Sequence, residues 1–365
     1  MDSIFDRIAA DASGAFDLLE AKFLEEKQYG RLFEMRLLRK RQELGLPLIQ
    51  PGGLDEIPAD KRPAYERAFI DAAREAGTLY LEAGDIPRAW SYFRALGDPA
   101  PVAAAIESAQ PGESVHTLVE IAFHEGVNLR KGFELVVEHY GLCRAITYFQ
   151  QYPPQPGRTE ALHLLIRTLY RDLVEGLRRA IERAEGQAPA TENVMELMEG
   201  RPWLFGEFSY YVDTSHLISI LGFCVELEDP EMLRLALELA EYGQRLSSQF
   251  QYPGEPPFEN HRDYILYFRA RLGRDEDAAI ANLREKPNSG KVLVDLLARL
   301  GRYREAIAAA LEFLPEEDPT ALQLCQTAGE FDELARLARS RDDLIGFAAA
   351  MMQRNAMTRR GAPGS

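Results

Sequence analysis

Apolar residues recur at three- and four-residue spacings through nearly the whole chain, the pattern of amphipathic helices. Phe16, Leu19, Phe23 and Leu24 make one stripe. Leu162, Leu165, Ile166, Leu169, Leu173 and Leu177 make another, in a long segment from about 159 to 185. Breakers punctuate the stripes: Pro47, Pro51-Gly52-Gly53, Pro58, Gly97-Asp98-Pro99, Pro111-Gly112, Pro153-Pro154, Pro156-Gly157, Pro253-Gly254 and Pro256-Pro257. No run of period-two alternation bounded by hairpin turns occurs. The pattern predicts an all-α chain of many short helices.

The C-terminal third repeats. Gly273, Gly301 and Gly329 are 28 residues apart; five residues after each stand Ala278, Ala306 and Leu334, and Pro287 and Pro315 lie fourteen after the first two. Each unit reads as helix, glycine turn, helix, proline-marked turn. The glycine tolerates the left-handed conformation that closes a helix, the residue five later lets two antiparallel helices approach, and the proline stops the second helix from running on. Such a hairpin cannot bury its apolar face alone, so units stack.

Leu272-Gly273-Arg274-Asp275-Glu276-Asp277-Ala278 and Leu300-Gly301-Arg302-Tyr303-Arg304-Glu305-Ala306 resemble the inter-helix turn of the tetratricopeptide repeat family. Ala328-Gly329-Glu330-Phe331-Asp332-Glu333-Leu334 is a weaker copy. Ala83-Gly84-Asp85-Ile86-Pro87-Arg88-Ala89 is a distant one, with Phe93 and Leu96 continuing its apolar face. The unit is shorter than the family's, and the first-helix Trp is absent. The fold expected is a right-handed α-solenoid of helical hairpins, tetratricopeptide-like, with an irregular helical middle. Its parts are N-terminal hairpins over 1–113, the middle over 114–259, the array over 260–355 and a flexible tail over 356–365. The resemblance implies a concave helical surface that holds peptides or proteins.

Composition narrows the partners. Of 365 residues, 46% are apolar, ample for a core. Fifty-eight acids against 42 Lys and Arg give a net charge of −16, a field that repels phosphate, so no nucleic-acid partner is expected. Cys143, Cys224 and Cys325 lie far apart with no CxxC, which fits a reducing compartment and no disulfide framework. The start, Met1 to Arg7, lacks a basic region followed by an apolar one, so no secretory signal is expected. The longest apolar stretch, near 217–225, falls far short of the ~20 residues of a membrane span. A cytoplasmic protein without a membrane partner is expected.

Residues 191–260 stand out. They carry 13 acids and three arginines, −10 of the net charge, interleaved with ten Trp, Phe and Tyr. Carboxylates attract a cation, and ring faces add cation–π stabilisation of ~0.5–2 kcal/mol. The same pattern also suits aromatics in a core beneath a solvated acidic face. The proline-rich stretch 250–259 cannot be helical and reads as a semi-rigid loop, able to cap a pocket or simply pinned to the helices beneath. Asp213 or Ser215 suits a helix N-cap, with His216 in the first turn. The candidate ligand-binding residues are Trp203, Tyr210, Tyr211, Asp213, His216, Tyr252 and Glu255.

Catalytic signatures are sparse. HExxH, GxSxG, GxxxxGK[ST] and GxGxxG are all absent, and no cofactor is expected. The leading expectation is a non-catalytic interaction module for a peptide or protein partner, preferably one with cationic groups. The alternative is an enzyme, or a metal or small-molecule binder, with an enclosed pocket in the middle helices. That pocket would use His124, His139, Asp213 and His216 under the proline-rich loop; a metal would take His124, His139, Cys143 and His216.

Overall fold

The computed structural model describes residues 3–49, 53, 56–109, 112, 115–153 and 157–361. Pro51, Gly52, Pro111, Pro154 and Pro156 lie outside them. Among the described residues the fold is all-α, with no strand. Two compact units form, residues 1–161 and 162–365.

The first unit holds α1 (Ile4–Ala10), α2 (Ala15–Glu25), α3 (Tyr29–Glu43), α4 (Arg62–Glu82), α5 (Ile86–Leu96), α6 (Ala100–Ser108), α7 (Val115–Val119) and α8 (Leu129–Gln151). From α1 to α6 each helix packs on the next, α7 packs on α8, and α5 also reaches α7. Phe23 is buried with Leu32 and Met35, and Phe16 and Leu19 pack beside it; Leu24, counted in the same stripe, is exposed. Asp85 caps α5 and Asn128 caps α8, each accepting a backbone N–H of the first turn.

The division between units falls inside the first turn of α9 (Arg158–Glu185), not at 113/114 or 259/260. The reason is packing: α5 contacts α7 across the first expected boundary, and α12 (Pro230–Arg245) contacts α13 (His261–Arg271) across the second. Neither loop separates two cores. In α9 the stripe of Leu162, Leu165, Ile166, Leu169, Leu173 and Leu177 is wholly buried, as its spacing predicts. Two short helices, α10 (Val194–Met198) and α11 (Thr214–Phe223), then pack on α12. Leu217, Ile220, Leu221 and Cys224 are in the core, so the most apolar stretch is interior helix. No helix among the described residues is long and apolar enough to cross a membrane.

From α13 onward the 28-residue repeat is physical. Helices α13 and α14 (Glu276–Glu285), α15 (Gly290–Arg299) and α16 (Tyr303–Phe313), and α17 (Thr320–Ala328) and α18 (Phe331–Ser340) are successive hairpins, closed by α19 (Leu344–Gly361). Every helix here packs on the next. Gly273, Gly301 and Gly329 take φ of 75°, 72° and 70°. The residue after each returns its N–H to a carbonyl of the preceding helix: Arg274 to Arg269 at 2.8 Å, Arg302 to Leu297 at 2.9 Å and Glu330 to Cys325 at 2.9 Å. Gly84, with φ 78°, makes the same turn between α4 and α5, where Asp85 N–H reaches Tyr80 at 2.8 Å. The second helices end two residues before Pro287 and Pro315.

One position departs from the expected repeat. Ala306 and Leu334 are buried against their partner helices, but Ala278 is exposed and Ala279 takes its place. The first turn holds one residue more: α14 starts three residues after its glycine, α16 and α18 two after theirs. Asp275 absorbs the extra residue with φ 54° and shifts the register of α14 by one. Helix α19 runs on to Gly361, into the stretch expected as tail; residues 362–365 lie outside the described part.

Candidate functional site

The acidic, aromatic segment divides its rings between core and solvent. Tyr242 and Phe258 are buried, and Phe258 stacks on Tyr264 with centroids 4.6 Å apart. Trp203, Phe208, Tyr210 and Tyr252 are instead 44%, 76%, 52% and 49% exposed. Chain geometry forces this. Pro202–Phe205 is a single 3-10 turn, and residues 206–212 are irregular, so neighbouring side chains cannot share one buried face.

The segment is nonetheless held. Tyr242 Oη accepts the Tyr211 N–H at 2.8 Å, and Tyr211 Oη donates to the Leu204 carbonyl at 3.0 Å. The Ser247 hydroxyl donates to the Glu207 carbonyl at 3.0 Å, and the Tyr210 and Phe250 rings pack at 4.9 Å. Burial pushes the Tyr211 and Tyr242 phenols up, so both stay neutral. The Phe250–Glu259 loop is pinned beneath by Pro257, Phe258 and Gln251, whose Nε2 donates to the Leu246 carbonyl at 2.6 Å. Tyr252 and Glu255 remain outside it.

Asp213 is the N-cap of α11. Its carboxylate accepts from the Ser215 hydroxyl at 2.5 Å and the Ser215 and His216 N–H groups at 2.8 and 3.3 Å. Those bonds, the Ser215 hydroxyl foremost, hold it below the usual carboxylate range. Asp213 is thereby committed to the helix start, beside a half-buried His216.

Some acids of the segment are neutralised within the second unit. Glu241 pairs with Arg269 at 2.8 Å, Glu228 with Arg271 at 3.1 Å, and Glu259 with Lys286 at 2.6 Å. Glu207 and Glu255 have no Lys or Arg within 4.0 Å among the described residues, are exposed, and lie close in sequence to the exposed rings.

The metal set is not assembled. Among the described residues no three His, Cys, Asp or Glu side chains group so as to hold a metal ion. His139 and Cys143 do not share a regular helix face, because Gly141 between them has φ 73° and ψ 177° and breaks α8. Both are exposed. His124 ends a wide π turn over Glu120–His124, and its Nε2 lies 3.3 Å from Tyr148 Oη. His216 belongs to the other unit.

A second feature carries no residue singled out by the sequence. A groove of about 810 Å³ runs along α9 within the second unit. Arg167, Arg171, Arg178 and Arg179 line it over a floor that includes Val174 and Leu235; Glu175, Glu182 and Glu192 complete the charged lining. At its side Tyr170 donates to Glu238 at 2.5 Å and accepts the Val194 N–H at 3.1 Å. Burial and then that carboxylate push the Tyr170 phenol up. The signal was present in the sequence: Arg167, Arg171 and Arg178 stand at i, i+4 and i+11, one polar face of the helix.

No protein-family model matches the chain, and no curated protein matches it. Among solved structures it is similar to a "circular tandem repeat protein with novel repeat topology and enhanced subunit contact surfaces". The identity is 18% over 95% of this chain and 79% of that one, with a TM-score of 0.14. A score that low leaves the likeness without bearing on function.

Proposed function

We propose that the chain is a non-catalytic, tetratricopeptide-like interaction module working inside the cell, and that its surface around 203–255 takes up a peptide or protein segment with cationic groups. The observation that supports this reading is the outward placement of Trp203, Phe208, Tyr210 and Tyr252 on a segment fixed by hydrogen bonds between side chains and backbone. Large rings held out to solvent on one short stretch of chain suit an interaction site. Ring faces beside the unpaired Glu207 and Glu255 suit a guanidinium or ammonium group. Preformed rings lose little freedom on binding.

The test is titration of the full chain with an arginine-rich peptide, followed by fluorescence anisotropy. Trp203→Ala and Tyr210→Ala should each weaken binding about tenfold, with helicity unchanged by circular dichroism. Raising ionic strength should weaken it further. Equal binding of a glutamate-rich peptide at this surface, or affinity indifferent to both substitutions, would overturn the reading.

A further inference from the structure

We infer that the groove along α9 is a second binding site, for an extended acidic segment of a partner protein. In a chain of net charge −16, four guanidiniums converge on one groove. Elsewhere in the second unit many arginines are engaged by carboxylates, as Arg201 is with Glu185, Arg269 with Glu241 and Arg302 with Glu305, and those that are not, such as Arg262 and Arg274, line no such groove. Along the groove the arginines are not so engaged. Glu175 lies four residues from both Arg171 and Arg179, and Glu182 four from Arg178, the spacing at which helical ion pairs close. Yet among the described residues Arg167, Arg178 and Arg179 have no carboxylate within 4.0 Å, and Arg171 reaches only Asp172, at 3.4 Å. Their planar donor forks are left to be filled by something else.

The arrangement selects among anions. Arg167 and Arg178 are separated by about 16 Å along the helix at 1.5 Å per residue, too far for one phosphate to bridge. An extended peptide of about five residues spans it at 3.3 Å each. The Val174 and Leu235 floor offers apolar contact between the charges. A nucleic-acid strand, with a phosphate at every step, would bring some against Glu175, Glu182 and Glu192. A peptide can place its carboxylates only where arginines stand.

The probe is a fluorescent hexapeptide alternating glutamate and leucine, titrated into the full chain at low salt and read by anisotropy. It should bind, its glutamine–leucine analogue should not, and added salt should weaken binding. Arg167→Gln with Arg178→Gln should lower affinity about tenfold or more. Arg171→Gln with Arg179→Gln, both exposed positions, should do the same and serves if the first pair perturbs folding. Arg262→Gln with Arg274→Gln should change nothing. Trp203→Ala should leave this binding intact, which separates it from the aromatic surface. Equal binding of the neutral analogue, unaltered affinity in both groove variants, or tighter binding of tripolyphosphate or a single-stranded oligonucleotide than of the peptide would overturn the assignment.

Discussion

Left-handed residues after helix ends recur along this chain, and they are not all glycine. Lys27 and Asp342, with φ 53° and 55°, occupy the position held elsewhere by Gly84, Gly273, Gly301 and Gly329. At Gly301 no atom lies within 4 Å of where a Cβ would stand, so a side chain there would meet backbone strain alone. Gly301→Ala should therefore cost about 1 kcal/mol, seen as a lower denaturation midpoint in urea. Lys27→Gly and Asp342→Gly should stabilise by about 0.5 kcal/mol, since relief of strain exceeds the added unfolded-state entropy. His261 supplies a pH prediction. It is buried, neither ring nitrogen has a hydrogen-bond partner among the described residues, and burial pushes it down to about 4. The unfolded chain protonates near 6.5, so between those values it binds more protons than the native state. Stability should thus fall as pH drops from 6.5 towards 4, by about 3 kcal/mol in full. His261→Leu should flatten that part of a stability-versus-pH curve.

At the scale of elements, the hairpins could be read directly because a glycine that must turn and a stripe that must bury leave fixed spacings. The α9 stripe and the 28-residue glycine period were both legible for that reason. Ala278 was not, because a single extra residue in a turn rotates every later side chain by about 100° without altering the composition. Ala279→Leu should consequently cost about 1–3 kcal/mol by overpacking, while Ala278→Leu stays within about 0.5 kcal/mol; thermal melts of the two variants check it. The candidate surface was legible in part. Aromatic content pointed to 203–252, but which rings face outward depends on the irregular backbone of 206–212, and irregular backbone has no period to read. The arginine face of α9 was written at helical spacing, yet the overall acidity of the chain masks it. Charge averaged over a sequence does not show which charges are neutralised by neighbours.

At the scale of the molecule, the two candidate surfaces of the second unit carry unpaired charge of opposite sign. Glu207 and Glu255 are exposed on the aromatic stretch, and the guanidiniums of α9 line a groove. Binding at either should weaken with salt, but with opposite preference for the sign of the probe. Separate titrations of an arginine-rich and a glutamate–leucine peptide check that independence: Trp203→Ala should weaken only the first, and Arg167→Gln with Arg178→Gln only the second.

The largely serial packing from α13 to α19 has a mechanical corollary. Beyond the ion pair of Arg299 with Glu228, the helices there pack chiefly on near neighbours in the chain, so tension applied at the C-terminal end meets them in order and peels them. Release should proceed inward from α19, in increments of one hairpin, each paying out at most about 95 Å of contour for 28 residues. An optical-tweezers trace would show a low, saw-toothed plateau instead of one tall rupture.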